Sequence, residues 1–267
     1  MLEAQYQIDY NKSKLTYYKY GDGSKNILLF HGFGQDHSAF HSWTEILKKD
    51  YTVYSFDLFF HGSSNWKDQN PLEKEDWRKI LELFFEKEKV LEFELVGFSL
   101  GGKFALAALE IFPWRIKKIT LLAPDGIKTG LWYSLATYPI ALRILFKSIV
   151  LKPGRLWCLI KFLRFFHIVD RGLLRFAESQ MDTGEKRRRV YNSWVYFRHL
   201  KFDLKKLTDR INSSNIPLIV IIGKYDKVIP PKNLNRFVAK INSQSLQIID
   251  AGHNDLISKS ILHLNLK

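Results

Sequence analysis

The most informative stretch of the sequence is Phe93-Glu94-Leu95-Val96-Gly97-Phe98-Ser99-Leu100-Gly101-Gly102. It opens with a short apolar run that predicts a strand, and a helix of small residues is predicted directly after it. The pattern Gly-x-Ser-x-Gly lies between the two. In this context it predicts a sharp, strained turn that holds the Ser99 hydroxyl out of the sheet. Gly97 and Gly101 flank the turn, where a Cβ would collide with neighbouring backbone.

The same alternation of apolar runs and helical patterns extends along much of the chain. The predicted strands are Asn26–Phe30, Thr52–Phe56, Phe93–Val96, Ile116–Leu122, Leu218–Ile222 and Leu246–Ile249, and the predicted helices are Ser38–Lys49, Leu72–Lys89, Leu100–Phe112 and Lys232–Ile241. Two alternating segments before them, Gln5–Tyr10 and Leu15–Tyr20, predict a β-hairpin. Strands that alternate with helices predict an α/β fold with a mostly parallel central sheet flanked by helices.

The alternation stops between Pro124 and Lys205, where the sequence is helical, aromatic and basic. This segment contains 16 Lys and Arg residues against 6 Asp and Glu, a net +10 of the chain's +14. We therefore predict a helical cap of residues 124–205, inserted into a core formed by residues 1–123 and 206–267.

Four motifs together resemble the α/β-hydrolase family. They are His31-Gly32 after the first long strand, the turn around Ser99, Asp226 after an apolar strand and Gly223, and His253 near the C-terminus. The resemblance covers residues 1–123 and 206–267, and it matches the rest only as the place where the family carries variable caps. It implies that Ser99 is the nucleophile, His253 the base and Asp226 the acid that orients the base. The chain order Ser, Asp, His is the one expected for this fold.

Two backbone N–H groups are candidates for the oxyanion hole. The Leu100 amide follows the nucleophile at a helix N-terminus, where it would face the reacting carbonyl. The resemblance implies that the Phe33 amide is the second donor and that His31 is a structural residue beneath its loop.

Two positions leave alternatives open. Asp125 follows the strand that precedes the proposed cap, and some members of the family place the acid there, although Asp226 is preferred. The segment Asp57–Ser64 resembles a family turn in which His61 is structural. Phe60 stands there where a glycine is commoner, which predicts a less tight loop.

Ser99 makes the sequence unlike the dehalogenases and epoxide hydrolases of this fold, which use an aspartate. We expect a carboxylic ester or thioester to acylate Ser99 and water to hydrolyse the acyl-enzyme. The apolar and aromatic side chains of the cap favour an apolar acyl or aromatic substrate. The alternatives are a carbon–carbon bond hydrolase with the same triad, and a non-catalytic basic module that binds a partner or a membrane.

The excess of positive charge is compatible with a solvated basic surface, and it also allows an acidic partner. An anionic membrane surface and an acidic carrier protein are both candidates. Nucleic acid is not expected, because no RNA- or DNA-binding module accompanies the run Lys186-Arg187-Arg188-Arg189.

The single cysteine, Cys158, cannot form an internal disulfide, and no Cys/His spacing predicts a metal site. We expect no cofactor. With no signal-peptide pattern at the N-terminus, we expect a cytoplasmic protein that could lie at the periphery of a membrane.

Overall fold

A computed structural model describes residues 4–128 and 131–263. Residues 1–3 and 264–267 of the predicted core and 129–130 of the predicted cap lie outside the described residues. The described chain divides into two compact units. The first contains residues 4–69, 73–128 and 200–263, and the second contains residues 70–72 and 131–199.

The first unit is built on a single sheet of eight strands. The strands are β1 (Ala4–Tyr10), β2 (Ser13–Tyr20), β3 (Lys25–Phe30), β4 (Tyr51–Asp57), β5 (Phe93–Phe98), β6 (Ile116–Leu122), β7 (Leu218–Gly223) and β8 (Gln244–Ile249). Their order across the sheet is β1-β2-β4-β3-β5-β6-β7-β8. β1 and β2 form the antiparallel hairpin expected from the sequence, β2 is antiparallel to β4, and every later pairing is parallel. The mostly parallel sheet is therefore confirmed.

Helices follow most of the parallel strands. They are α1 (His41–Leu47), α2 (Lys74–Glu88), α3 (Leu100–Ile111), α4 (Leu131–Thr137), α5 (Ile140–Leu151), α6 (Pro153–Phe165), α7 (Arg171–Ser179), α8 (Gly184–Tyr196), α9 (Leu204–Ser213), α10 (Asn235–Val238) and α11 (Leu256–Ser260). The second unit contains α4 to α8 and, within its described residues, no strand. Among residues 4–128 and 131–263, no helix has both the length and the apolar character needed to span a bilayer.

Helix α2 shows how sequence sets the limits of one element. A reciprocal capping box begins the helix. The Glu73 side chain accepts the backbone N–H of Asp76, and the Asp76 side chain accepts the backbone N–H of Glu73. It ends at Glu88, and the next residue, Lys89, adopts the left-handed conformation with φ 55°. Its buried side chains recur every three or four residues and include Trp77 and Phe84, so that one face packs into the core.

Two predicted helices are shorter than the sequence suggested. The segment from Ser38 begins as a 3₁₀ turn, His37–Phe40, in which the Asp36 side chain accepts the Ser38 N–H, and α1 follows it. The second is the helix predicted over Lys232–Ile241, and the predicted length was wrong. A 3₁₀ turn occupies Pro231–Asn233, and α10 has only four residues, because the flanking N–H groups bond three residues back, as from Leu234 to Pro231 and from Lys240 to Phe237.

Candidate active site

Ser99 lies at the sharp turn between β5 and α3. Its backbone has φ 48° and ψ −116°, a combination that a residue with a Cβ rarely adopts and that stores strain of about 1–3 kcal/mol. Hydrogen bonds hold the turn: the Ser99 N–H donates to the Leu122 oxygen at 2.9 Å, and the Asp125 N–H donates to the Ser99 oxygen at 2.8 Å. The end of β6 therefore holds Ser99 in its strained conformation.

The glycines of this turn are required by close backbone approach. A Cβ on Gly101 would lie 1.9 Å from the Phe30 carbonyl oxygen at the end of β3, and one on Gly97 would lie 2.7 Å from the Gly101 oxygen. Neither position has room for a side chain. The contact of Gly101 also places the start of α3 against the beginning of the loop that contains Phe33.

Asp226 lies in the turn after β7, and its carboxylate is fully satisfied. Oδ1 accepts the N–H groups of Val228 and Ile229, each at 2.8 Å, and Oδ2 contacts His253 Nδ1 at 2.6 Å. The side chain is buried. The two backbone donors fix the direction of the second oxygen, and they come from residues that the sequence reasoning did not single out.

His253 lies in the loop after β8 and contacts both other side chains. Its Nε2 is 3.0 Å from Ser99 Oγ, while Nδ1 faces Asp226. A carboxylate only accepts hydrogen bonds, so the proton of the neutral ring belongs on Nδ1 and the Nε2 lone pair faces the serine hydroxyl. The Phe98 ring packs against the imidazole with centroids 5.0 Å apart. The structure thus brings together all three side chains that the sequence singled out.

The rival acid, Asp125, is engaged elsewhere. Its Oδ2 lies 3.1 Å from the Nζ of Lys103, a nearly buried lysine on α3, and its Oδ1 accepts the Gly126 N–H at 2.7 Å. No sequence pattern predicts the pairing with Lys103, because it depends on how α3 packs beside the end of β6.

The two candidate oxyanion donors are the first residue of α3 and a residue of the loop after β3. Leu100 is the first residue of α3, where amide N–H groups have no acceptor within the helix. Phe33 lies in the loop after β3, which is held by the Gly32 N–H donating to the Gln35 side-chain oxygen at 2.9 Å. Among the described residues, no group of three or more His, Cys, Asp and Glu side chains is placed to hold a metal ion.

His31 is buried beneath this loop and bonded to backbone on both sides. Its Nε2 accepts the Leu58 N–H at 3.0 Å, so Nδ1 carries the proton and donates to the Gly32 oxygen at 2.7 Å. Burial is the main cause that lowers the pKa of His31 to about 4. The neutral ring therefore links the loop after β3 to the loop after β4.

Folding stability should fall in acid because of His31. The unfolded chain protonates this ring near pH 6.5, whereas the folded chain does so only near 4. The stabilisation is fully present above the unfolded value and is lost as pH falls towards the folded one. The linkage removes about 2 kcal/mol of unfolding free energy between about pH 7 and about pH 5. Urea unfolding at both pH values measures it, with His31→Gln as the non-titrating control. Equal losses in the two proteins would contradict this account.

The loop after β4 is tighter than the sequence suggested. Phe60 has φ 67°, in the left-handed region that favours glycine, and the His61 N–H donates to the Leu58 oxygen at 3.0 Å. The expectation of a looser loop was therefore wrong. The bulky residue adopts the backbone conformation that a glycine would take, at a cost in strain.

Comparison with known proteins agrees with this architecture. A family model for the α/β-hydrolase fold matches residues 25–143 and 176–260. The chain belongs to the α/β-hydrolase family. It is a hydrolase, and the sheet order and the strand–turn–helix at Ser99 are those of the fold. The resemblance noted in the sequence is thus confirmed for the family.

The chain is similar to individual known proteins over most of their length. A Mycoplasma pneumoniae protein named as an esterase or lipase is 29% identical over 245 residues, which are 88% of this chain and 82% of that protein. A poly(3-hydroxyalkanoate) depolymerase of Ectopseudomonas oleovorans is 23% identical over 88% of this chain and 80% of its own. The structure of a thermophilic esterase from Thermogutta terrifontis superposes with a TM-score of 0.70, at 16% identity, over 98% of this chain and 96% of that one.

Proposed function

We propose that the protein hydrolyses a carboxylic ester or thioester through an acyl-enzyme on Ser99. The observation that carries the proposal is the hydrogen-bonded series from Asp226 through His253 to the Ser99 hydroxyl, with contacts of 2.6 and 3.0 Å. The names of the relatives support ester substrates in general.

Each side chain has a defined part in this reaction. As Ser99 Oγ attacks the acyl carbon, His253 Nε2 accepts its proton, and Asp226 stabilises the imidazolium that forms. The oxygen of the tetrahedral intermediate is bound by the N–H groups of Leu100 and Phe33. His253 then gives its proton to the departing alcohol or thiol, and the same steps with water release the acid and restore Ser99.

We propose an apolar acyl group or an aromatic group as the substrate's recognised part. The support is compositional: residues 124–205, the variable segment between β6 and β7, are rich in apolar and aromatic side chains. We propose that this segment is the helical cap that members of the family carry.

The excess of positive charge in this segment would suit an anionic partner. We propose two candidates, an anionic membrane surface and an acidic carrier protein.

A panel of chromogenic esters of increasing acyl length tests this function, with Ser99→Ala as the control. We expect turnover that rises from acetyl to medium or long chains and is absent in the variant. Turnover of vinylogous ring-cleavage products without any ester turnover would instead indicate a carbon–carbon bond hydrolase. Activity that persists in the variant would refute the acyl-enzyme.

Replacing the two candidate acids separates their roles. Asp226→Asn should lower kcat about 10⁴-fold, because the amide disfavours the Nδ1–H tautomer and leaves the imidazolium without its carboxylate. Asp125→Asn should change kcat by less than about tenfold, since its carboxylate contacts Lys103 and lies half-exposed. Steady-state kinetics on one ester measures both. A larger loss at Asp125 would transfer the role of acid to it.

A further inference from the structure

Helices α5 and α6 leave a set of large apolar side chains exposed to solvent. The exposed fractions are 63% for Ile144, 52% for Leu145, 52% for Phe162, 76% for Phe165 and 57% for Phe166. Phe162 is three and four residues before Phe165 and Phe166, so these three share one face of α6, while Ile144 and Leu145 are neighbours in α5. Phe166 directly follows α6, and its ring packs against those of Phe162 and Phe165. The three phenylalanines therefore form an exposed aromatic cluster and are not scattered singly.

One hydrogen bond joins the exposed face of α5 to that of α6. Arg155 near the start of α6 donates a hydrogen bond to the Ser148 hydroxyl near the end of α5. Ser148 is one turn beyond Ile144, and Arg155 is two turns before Phe162, so each belongs to the apolar face of its own helix. This contact joins the two faces at the end where the helices are connected. We call the surface formed by Ile144, Leu145, Phe162, Phe165 and Phe166 the outer face.

The charge carried by α5 and α6 themselves is of one sign. No Asp or Glu occurs from residue 126 to residue 169, and α5, α6 and the residue between them contain six basic residues. They are Arg143, Lys147, Lys152, Arg155, Lys161 and Arg164. Among the residues that the structure describes, only Arg164 of these six contacts a carboxylate, that of Glu178. The rest of this charge is available to an anionic partner.

The basic run of α8 is engaged within its own segment. Lys186 contacts Asp182 at 2.9 Å, Arg189 contacts Glu185 at 3.1 Å, and Arg187 donates to backbone oxygens of the preceding turn. These contacts neutralise part of its charge locally. The densest basic run in the sequence is thus less suited to an anionic partner than α5 and α6.

We propose that the outer face binds the surface of a bilayer with anionic lipid head groups. Exposed aromatic and aliphatic side chains enter the boundary between head groups and acyl chains, while flanking Lys and Arg attract the anionic head groups. A second copy of the chain would bring two faces of the same charge together, which opposes self-association. This binding does not depend on the proposed chemistry at Ser99. It rests on the proposal of a membrane partner and identifies the part of the protein surface that would contact the membrane.

Co-sedimentation with vesicles tests the proposal. The full chain should bind vesicles of phosphatidylcholine mixed with phosphatidylglycerol, and much less to phosphatidylcholine alone. Binding should weaken as salt rises, because salt screens exposed charges. Ser99→Ala should bind as the wild type does, so a failure of membrane binding and a failure of the proposed catalysis can be told apart.

Matched variants locate the surface. Phe162→Ser with Phe165→Ser should weaken binding at least tenfold, whereas Leu91→Ser with Trp114→Ser, which removes equally exposed apolar side chains from the first unit, should not. Lys147→Gln, Lys152→Gln and Lys161→Gln together should weaken it about a hundredfold. Replacing exposed Lys12, Lys49 and Lys240 in the same way lowers the net charge equally and should have little effect.

Three results would overturn the proposal. One is the absence of vesicle binding at low salt while the protein hydrolyses a soluble ester. Another is an equal loss of binding in the matched controls, which would mean that net charge alone is responsible. The third is a dimer, detected by sedimentation equilibrium, that Phe162→Ser with Phe165→Ser dissociates in a protein without affinity for vesicles. The outer face would then be an interface between copies.

Discussion

Ser99→Ala is expected to lower kcat on any ester substrate by about 10⁶-fold, the loss typical when a triad nucleophile is removed. The alanine has no oxygen to attack the acyl carbon, and His253 and Asp226 then have no hydroxyl to activate. What remains is the stabilisation of charge by backbone N–H groups, which accelerates the attack of water only weakly. Initial rates at saturating substrate measure the effect.

The fold of the Ser99→Ala variant should be unchanged. Alanine keeps the Cβ, so the strained backbone at φ 48° is as costly as before and the melting temperature should move little. Ser63→Ala is a matched control, since Ser63 is an exposed serine in the loop after β4. It should retain full activity. Wild-type turnover in Ser99→Ala would remove Ser99 from the mechanism.

His253→Ala should cost nearly as much as the loss of Ser99, about 10⁶-fold in kcat, because residues of a triad act as a unit. Nε2 is the group placed to accept the Ser99 proton, at 3.0 Å. The variant should also fail to react with a fluorophosphonate, which requires an activated serine. For the same reason the wild-type rate should fall in acid, where a protonated imidazole has no lone pair to offer.

A substitution in another histidine serves as the control. His41 is exposed at the start of α1, and His41→Ala should leave both the rate and the fluorophosphonate reaction unchanged. A wild-type rate independent of pH from about 5 to about 9 would argue against histidine as the base. Rapid labelling of His253→Ala would do the same.

The sheet and the three side chains of the site could be predicted because their signals are local. Strands such as β3 and β7 are short apolar runs buried on both faces of a parallel sheet, and their ends carry the residues that converge. The glycines at 97 and 101 are dictated by close backbone approach, because an added Cβ would lie 2.7 and 1.9 Å from carbonyl oxygens. Such contacts leave a pattern in the sequence that can be recognised without knowing the fold.

Other features depend on packing between distant segments and leave no such pattern. The pairing of Asp125 with Lys103, the backbone donors that orient Asp226, and the left-handed Phe60 all follow from how loops meet. The basic run at 186–189 can be recognised in the sequence because its residues are adjacent. The outer face was not predicted, because the side chains of α5 and α6 become neighbours only once the two helices pack.

Peptide mapping after reaction with a fluorophosphonate tests most directly whether Ser99 is the activated nucleophile. Trypsin releases Ser99 in a peptide of residues 90–103, in which it is the only residue with a hydroxyl or thiol group. We expect one phosphonyl adduct on this peptide in the wild type, a parallel loss of ester hydrolysis, and no adduct in His253→Ala. An adduct on another peptide, or full inhibition with the 90–103 peptide unmodified, would contradict the account.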